Sequence, residues 1–278
     1  MLPVRLAFIL IANSPIAPAM SHRPTLVFVP GAWHGPETWN KVSAEIEAHE
    51  YKCVRVALPS TLSDPAATFA DDVRAVRAAI AAETTQGRDV VVVVHSYGGH
   101  VGSSAVRGLT RTAQGAASSA GGPSGHVVGI AMMATGFTVT GVSFVDGLGG
   151  KPPPEWAADE QAGFAVIVAD ARALFYHDLP ADEGARWVDR LRKQALKPLM
   201  EGGEHAYSGW KDVPVWFLAT TEDKALPLQA QHVFVQAARD AGADVTLRGV
   251  ASSHSPMLSR PKETADFILQ AVASFTSR

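Results

Sequence analysis

Five consecutive valines, Val90 to Val94, run directly into His95-Ser96-Tyr97-Gly98-Gly99. An unbroken β-branched run has no polar side to offer to water, so it predicts a strand buried on both faces at the centre of a parallel sheet. From Val101 to Leu109 the chain can start a helix. A strand that passes through one serine into a helix presents that hydroxyl at the top of the sheet, clear of its neighbours. Glycine after the turn lets the helix pack close to the strand. The segment is nearly G-x-S-x-G, with Val94 where the first glycine is usual. Taken alone, Ser96 reads equally well as a nucleophile or as the cap of an ordinary strand-to-helix turn.

The rest of the chain alternates strand and helix from residue 25. Thr25 to Pro30 predicts a strand that ends where its proline breaks no ladder. Pro36 to His49 predicts a helix with Trp39, Val42 and Ile46 on one face. Lys52 to Leu58 predicts a strand. Phe69, Val73, Val76 and Ile80 mark an amphipathic helix with Asp71 and Asp72 in its first turn. Further strands are expected at Val127 to Met133, Val215 to Ala219 and Val245 to Val250. Helices are expected at Pro227 to Ala241 and Glu263 to Phe275, the latter opened by Pro261. Thr110 to Gly125, rich in Gly, Ala and Ser, reads as a mobile loop, with Ser118, Ser119 and Ser124 as solvated linker residues. The fold class is therefore α/β: a doubly wound, mostly parallel sheet of about six strands.

Between the fourth and fifth predicted strands lie about 75 residues, Thr138 to Asp212, far more than an ordinary connection needs. Helix-like runs at Gln161 to Leu174 and Ala181 to Leu196 predict a helical cap over the C-terminal edge of the sheet. The expected organisation is an N-terminal extension or signal segment over 1–19, a core over 20–137 and 212–278, and a cap over 138–211. The cap holds eight of the chain's 21 aromatics, only modestly more than its share by length. Most are therefore expected to form the cap's own core, with about two or three facing a pocket.

Composition excludes several functions. The net charge is −3 with no Lys/Arg run, which argues against nucleic acid or an acidic membrane surface as partner. The single cysteine, Cys53, can form no internal disulfide and reads as a packing residue. No metal-ligand spacing occurs among the ten histidines, and Gly147 to Gly150 neither follows a strand nor opens a helix, so no metal or cofactor is expected. Met1 to Ala12 has a charged start and a short apolar stretch, and Ala17-Pro18-Ala19 could be a cleavage site. The stretch is too short to span a bilayer. An upstream extension with Met20 as the natural start is the favoured reading, and with it a cytoplasmic location.

In open α/β sheets, ligands bind beyond the carboxyl ends of the strands. Gly31-Ala32-Trp33-His34-Gly35 comes after the first predicted strand, Ser96 after the third, Thr220-Thr221-Glu222-Asp223 after the fifth and Ser252-Ser253-His254 after the sixth. Ser, Asp and His thus reach one sheet edge in the chain order of nucleophile-elbow enzymes. A serine hydroxyl needs a base; His254 would take its proton, and Asp223 would orient the imidazole. The backbone N–H groups of Ala32 and Tyr97 are the expected oxyanion donors. Each residue also has a blander role. His254 fits a surface loop, Asp223 fits a helix cap before Pro227, and Glu222 is an alternative acid. His95 should point away from Ser96 and pack beneath the turn. Trp33, His34, Phe137, Phe175, Tyr176 and Trp210 are candidates for the pocket wall; His34 and His100 could both line it, although structural roles fit them better.

The segments Gly31-Ala-Trp-His-Gly35, Val94-His-Ser-Tyr-Gly-Gly99, Thr221-Glu-Asp-Lys-Ala-Leu-Pro227 and Ser253-His-Ser-Pro-Met-Leu258 resemble the α/β-hydrolase fold superfamily. More narrowly they resemble the branch of plant methyl esterases, hydroxynitrile lyases and many microbial and fungal hydrolases. The resemblance covers about residues 24–278 and is least specific in the cap. It implies a cofactor-free serine hydrolase acting on a carboxylic ester or lactone of a small, mainly apolar molecule. In lyase members a lysine follows the catalytic histidine; here Ser255 does, which argues against cyanohydrin cleavage. A lyase or isomerase working by proton transfer, and a ligand-binding receptor on a retained scaffold, are the alternatives. A homodimer is left open.

Overall fold

The computed structural model describes residues 23–111 and 125–277. The expectations for residues 1–19, for Met20 and for Ser118, Ser119 and Ser124 lie outside the described residues. In chain order the first part comprises β1 (Thr25–Val29), α1 (Asn40–Glu47), β2 (Cys53–Arg55), α2 (Phe69–Thr84), β3 (Val90–His95), α3 (Tyr97–Ala105) and β4 (Val127–Met133). An insertion comes next, with α4 (Phe144–Gly147), β5 (Trp156–Asp159), β6 (Phe164–Ile167), α5 (Ala171–Phe175), α6 (Ala181–Val188), β7 (Gln194–Ala195) and α7 (Lys197–Met200). The chain closes with β8 (Val215–Thr220), α8 (Leu228–Asp240), β9 (Val245–Val250), α9 (Pro256–Ser259) and α10 (Pro261–Thr276).

Six strands pair in parallel in the order β2-β1-β3-β4-β8-β9. The valine run explains the middle of this sheet. Val90, Val92 and Val94 face one core with α2, α3 and α8, and Val91 and Val93 face the other with α1 and α10. All five are fully buried, so no position of the run meets water. The chain adds strands to one side of β1 and then to the other, which makes the β1/β3 boundary the switch point where such sheets open a crevice. Of the predicted strands, β2 is the most shortened. It is an edge strand, and Pro59 starts a 3-10 turn soon after it. No helix among the described residues is long and apolar enough to cross a membrane.

The insertion departs from the helical expectation. Gln161 to Leu174 is not one helix: the end of a hairpin turn and strand β6 occupy its first half, and only Ala171–Phe175 is helical. Strands β5, β6 and β7 form a small antiparallel sheet. The reason is local. Gly163 takes a left-handed φ of 75° and closes the turn after Asp159, whose side chain accepts the Ala162 N–H. Beyond it, Ala165 is buried and Val166 exposed, the alternation of a strand rather than a helix face. The second run stops at Val188, and Gln194–Ala195 joins the sheet.

Helix α3 starts at Tyr97, earlier than Val101, and crosses strands β1 and β3 at close range. A Cβ on Gly98 would stand 2.5 Å from the Pro30 carbonyl oxygen and 2.6 Å from that of Val29. One turn on, a Cβ on Gly102 would collide with the Val94 side chain. The glycine missing before Ser96 is therefore answered on the helix side: Val94 fills the strand position, and Gly102 gives it room. Gly98→Ala would gain about 1 kcal/mol of helix propensity, yet it forces a methyl into backbone carbonyls. We expect a net loss of about 1–3 kcal/mol in urea unfolding. An unchanged or raised midpoint would show that β1 yields freely.

Candidate active site

Ser96 lies between β3 and α3 with φ 50° and ψ −127°, a positive-φ conformation unusual for serine. Such a residue costs on the order of 1–3 kcal/mol and persists only where its surroundings fix it. Here the Ser96 N–H donates to the Met133 carbonyl at 3.2 Å. Its own carbonyl accepts from the Gly99 N–H at 2.8 Å and from the Thr135 hydroxyl at 2.6 Å. The side chain makes no capping bond to α3. The reading of Ser96 as a helix cap is thus not what the residue does.

His254 comes after β9 and is buried, not on an open surface loop. Its Nδ1 lies 2.8 Å from Asp223 Oδ2. A carboxylate can only accept, so Nδ1 carries a proton, and in the neutral imidazole Nε2 is the atom with the lone pair. Asp223 is held tightly: Oδ1 accepts the N–H groups of Ala225 and Leu226 at 2.9 and 2.8 Å, and Oδ2 accepts the Thr220 hydroxyl at 2.7 Å. Burial works against its ionisation, but the neighbouring His254, the Leu226 N–H and the Thr220 hydroxyl outweigh it and hold its pKa below the ordinary value. Asp223 therefore orders the turn before α8 and partners His254 at once. Glu222 is exposed, and its backbone carbonyl takes a bond from His177, so it is not the acid facing His254. His95 packs beneath the turn as expected and donates from Nε2 to the His254 carbonyl at 2.8 Å.

Ser96 and His254 line one cavity of about 400 Å³, together with Ala32 and Tyr97. Tyr97 is the first residue of α3, so its N–H has no acceptor within the helix. Of the aromatic candidates, Trp33, Phe137 and Phe175 line the cavity. His34, Tyr176 and Trp210 do not. Each is buried outside the cavity lining with its polar atom engaged. His34 and Tyr176 bond each other at 2.6 Å, and Trp210 donates its indole N–H to the Thr138 carbonyl at 2.6 Å while its ring backs Phe137. Sequence reasoning does not single out Val142, Phe144, Trp156, Leu226 or Phe234, all of which line the cavity. Phe144 and Trp156 stand in sequence only as insertion aromatics, and Phe234 reads as one more apolar residue of α8. His100, for which the sequence leaves both a pocket and a structural role open, lines the cavity one helical turn past Ser96.

The imidazoles around the site are kept neutral. Burial pushes His34 and His100 each down to about 4 and His95 well below its ordinary value of 6.5. His100 Nε2 is buried with no hydrogen-bond partner. Asp72 goes the other way: burial raises it to about 6, against donors from Ser60 and Tyr97. The unfolded chain binds protons at these histidines near pH 6.5, the folded chain only near 4. The unfolded state thus holds more protons across that window, and stability falls as pH drops through it, by up to about 1.4 kcal/mol per pH unit for each group. Asp72 has the opposite sign between 3.8 and 6, where the folded state holds the extra proton, and offsets one such contribution. Urea unfolding should therefore weaken from pH 6.5 to 4, and His100→Leu should flatten the slope. A stability that stays level or rises on acidification would contradict this assignment.

The described arrangement matches known proteins over most of its length. A model of the alpha/beta hydrolase family matches residues 26–267. The alpha/beta hydrolase nvfD of Aspergillus novofumigatus is 28% identical over 242 residues, covering 86% of this chain and 92% of that protein. A probable hydrolase, R7, of a Phoma species is 28% identical over 254 residues, covering 89% of this chain and 98% of that one. Among solved structures, polyneuridine aldehyde esterase superposes with a TM-score of 0.70 at 18% identity, covering 90% of this chain and 99% of its own. A methylesterase of Arabidopsis superposes with a TM-score of 0.64 at 17% identity, over 90% and 99% of the two chains. At such identities these two share the fold.

Proposed function

We propose that this chain, which belongs to the alpha/beta hydrolase family, is a serine hydrolase that cleaves a carboxylic ester or lactone of a small, mainly apolar molecule. One observation carries the reading: an imidazole bonded through Nδ1 to a buried carboxylate opens onto the cavity that the strained serine also lines. Ser96 Oγ attacks the ester carbonyl while His254 Nε2 takes its proton. The N–H groups of Ala32 and Tyr97 receive the oxyanion. The tetrahedral intermediate collapses, the alkoxide leaves with the proton held by His254, and the acyl-enzyme is then hydrolysed by water through the same steps. Proton transfer of this kind contributes roughly 10²- to 10⁴-fold in rate. Serine and imidazole share no hydrogen bond in this arrangement, and in hydrolases that contact commonly tightens only around a substrate.

Residues 138–211 are, in this reading, the cap that shapes the substrate. Val142, Phe144 and Trp156 come from it, and the exposed Val139 and Leu148 stand in the same cavity wall. Such a lining favours apolar acyl or alcohol groups. Cyanohydrin cleavage gains no support, since the residue after the histidine is a buried serine, Ser255, and not a lysine.

A screen of p-nitrophenyl esters of varied acyl length with aromatic lactones tests the reading. Ser96→Ala should lower kcat by about 10³-fold or more with the fold intact. Asp223→Asn should cost about 10³- to 10⁴-fold, because it frees the imidazole to take the wrong tautomer. Ester turnover at the wild-type rate in Ser96→Ala would refute the assignment.

A further inference from the structure

Trp33, in the turn after β1, has a φ of 61°. For a bulky side chain this is an outlier that something must hold. Every polar group of the residue is engaged, and always by the insertion. Its N–H donates to Gln194 Oε1 at 3.3 Å, its carbonyl accepts the Arg192 N–H at 2.8 Å, and its indole N–H donates to the Ala165 carbonyl at 2.9 Å. The amide of Gln194 is itself fixed: fully buried, it donates from Nε2 to the Ala195 carbonyl at 3.1 Å, so its oxygen is the atom that meets Trp33. A second chain of bonds reaches the preceding residue. The Ala32 carbonyl can only accept, so His34 donates to it from Nδ1 at 2.6 Å. His34 Nε2 must then accept, and it does so from the Tyr176 hydroxyl at 2.6 Å.

We propose that the insertion is a clamp on the oxyanion loop rather than a free lid, with Gln194 as its central positioning residue and Tyr176 acting through His34. This rests on the serine hydrolase reading, in which the Ala32 N–H receives the oxyanion. The strain at Trp33 supplies the reason a clamp is needed. Without Gln194 the backbone gains by relaxing toward negative φ, and the adjoining Ala32 peptide turns with it. A displacement of about 1 Å at a reacting group costs roughly 100-fold in rate, and a lost oxyanion donor about as much or more. The Trp33 ring also lines the cavity, 6.1 Å from Trp156 and 6.3 Å from Phe175. A substrate that fills the insertion side of the cavity therefore presses on the residue that sets the oxyanion geometry.

Gln194→Leu tests the proposal, with two readouts taken on the full chain. The first is kcat per active site, counted by fluorophosphonate labelling so that misfolded protein does not enter. It should fall about 10- to 100-fold with KM within about twofold. The second is amide hydrogen exchange over residues 31–35, which should speed up about tenfold or more as the Trp33 N–H loses its acceptor. Tyr176→Phe, which keeps the ring and its packing, should move both in the same direction and by less. Unchanged exchange, or a raised KM at constant kcat, overturns the clamp. If the wild type shows no Ser96-dependent ester turnover while exchange still quickens in Gln194→Leu, the hydrolase reading fails and the clamp stands.

Discussion

The close approach of helix α3 to strands β1 and β3 is the constraint on which the rest of the molecule depends. Two carbonyls of the β1 end face the α-carbon of Gly98, and the Val94 side chain fills the space over Gly102. With the helix held at that range, the chain can leave β3 only through a residue of positive φ, and Ser96 is that residue. The same packing sets Tyr97, the first residue of α3, at the cavity that Ala32 of the loop after β1 also lines. A valine seated against Gly102, a strained serine and a helix whose first N–H lies outside its own ladder are thus three consequences of one steric fact. None of them could be shifted without moving the other two.

The electrostatics have the same origin in burial. A parallel sheet covered on both faces brings low-dielectric surroundings up to its C-terminal edge, and every imidazole placed there pays for desolvation if charged. His34 and His95 meet that condition by staying neutral and by turning their N–H groups onto carbonyls. His254 differs because Asp223 stands against its Nδ1. One histidine of three in ring contact has this partner, and the His95–His254 ring pair, 4.7 Å between centroids, keeps its loop seated.

Much of this is legible in the residues. The valine run sets the centre of the sheet, and the order of elements comes from alternation of period 2 and period 3.6. Ser96, Asp223 and His254 stand out as the polar residues just past the strand ends, a signal that works because the hydrogen bonds that align the sheet also fix where its strands stop. The insertion is less legible. Ala165 and Val166 belong to a short hairpin whose apolar residues also fit a helix stripe, and only Gly163 marks the turn. The pocket aromatics are obscure for a related reason. Tyr176 and Trp210 carry polar atoms whose partners, His34 and the Thr138 carbonyl, lie 142 and 72 residues away, and no local pattern encodes such pairing. Phe144 and Phe234 lack a polar atom and could be turned to the cavity at no hydrogen-bonding cost.

The insertion also bears on how the fold can vary its chemistry. A cap that touched only the substrate could be exchanged freely, changing KM and selectivity while the sheet edge went on working. Here Ala165, Tyr176, Arg192 and Gln194 bond the loop beside β1. Any replacement must therefore supply acceptors for the Trp33 N–H and its indole N–H, a donor for its carbonyl and a hydroxyl for His34, in addition to a new wall. Two of those four partners lie close together at the start of the small sheet's last strand, Arg192 and Gln194. That gives β7, only two residues long, a purpose beyond its meagre pairing: it delivers the amide side chain of Gln194 to the one backbone position on that loop that cannot hold its own conformation.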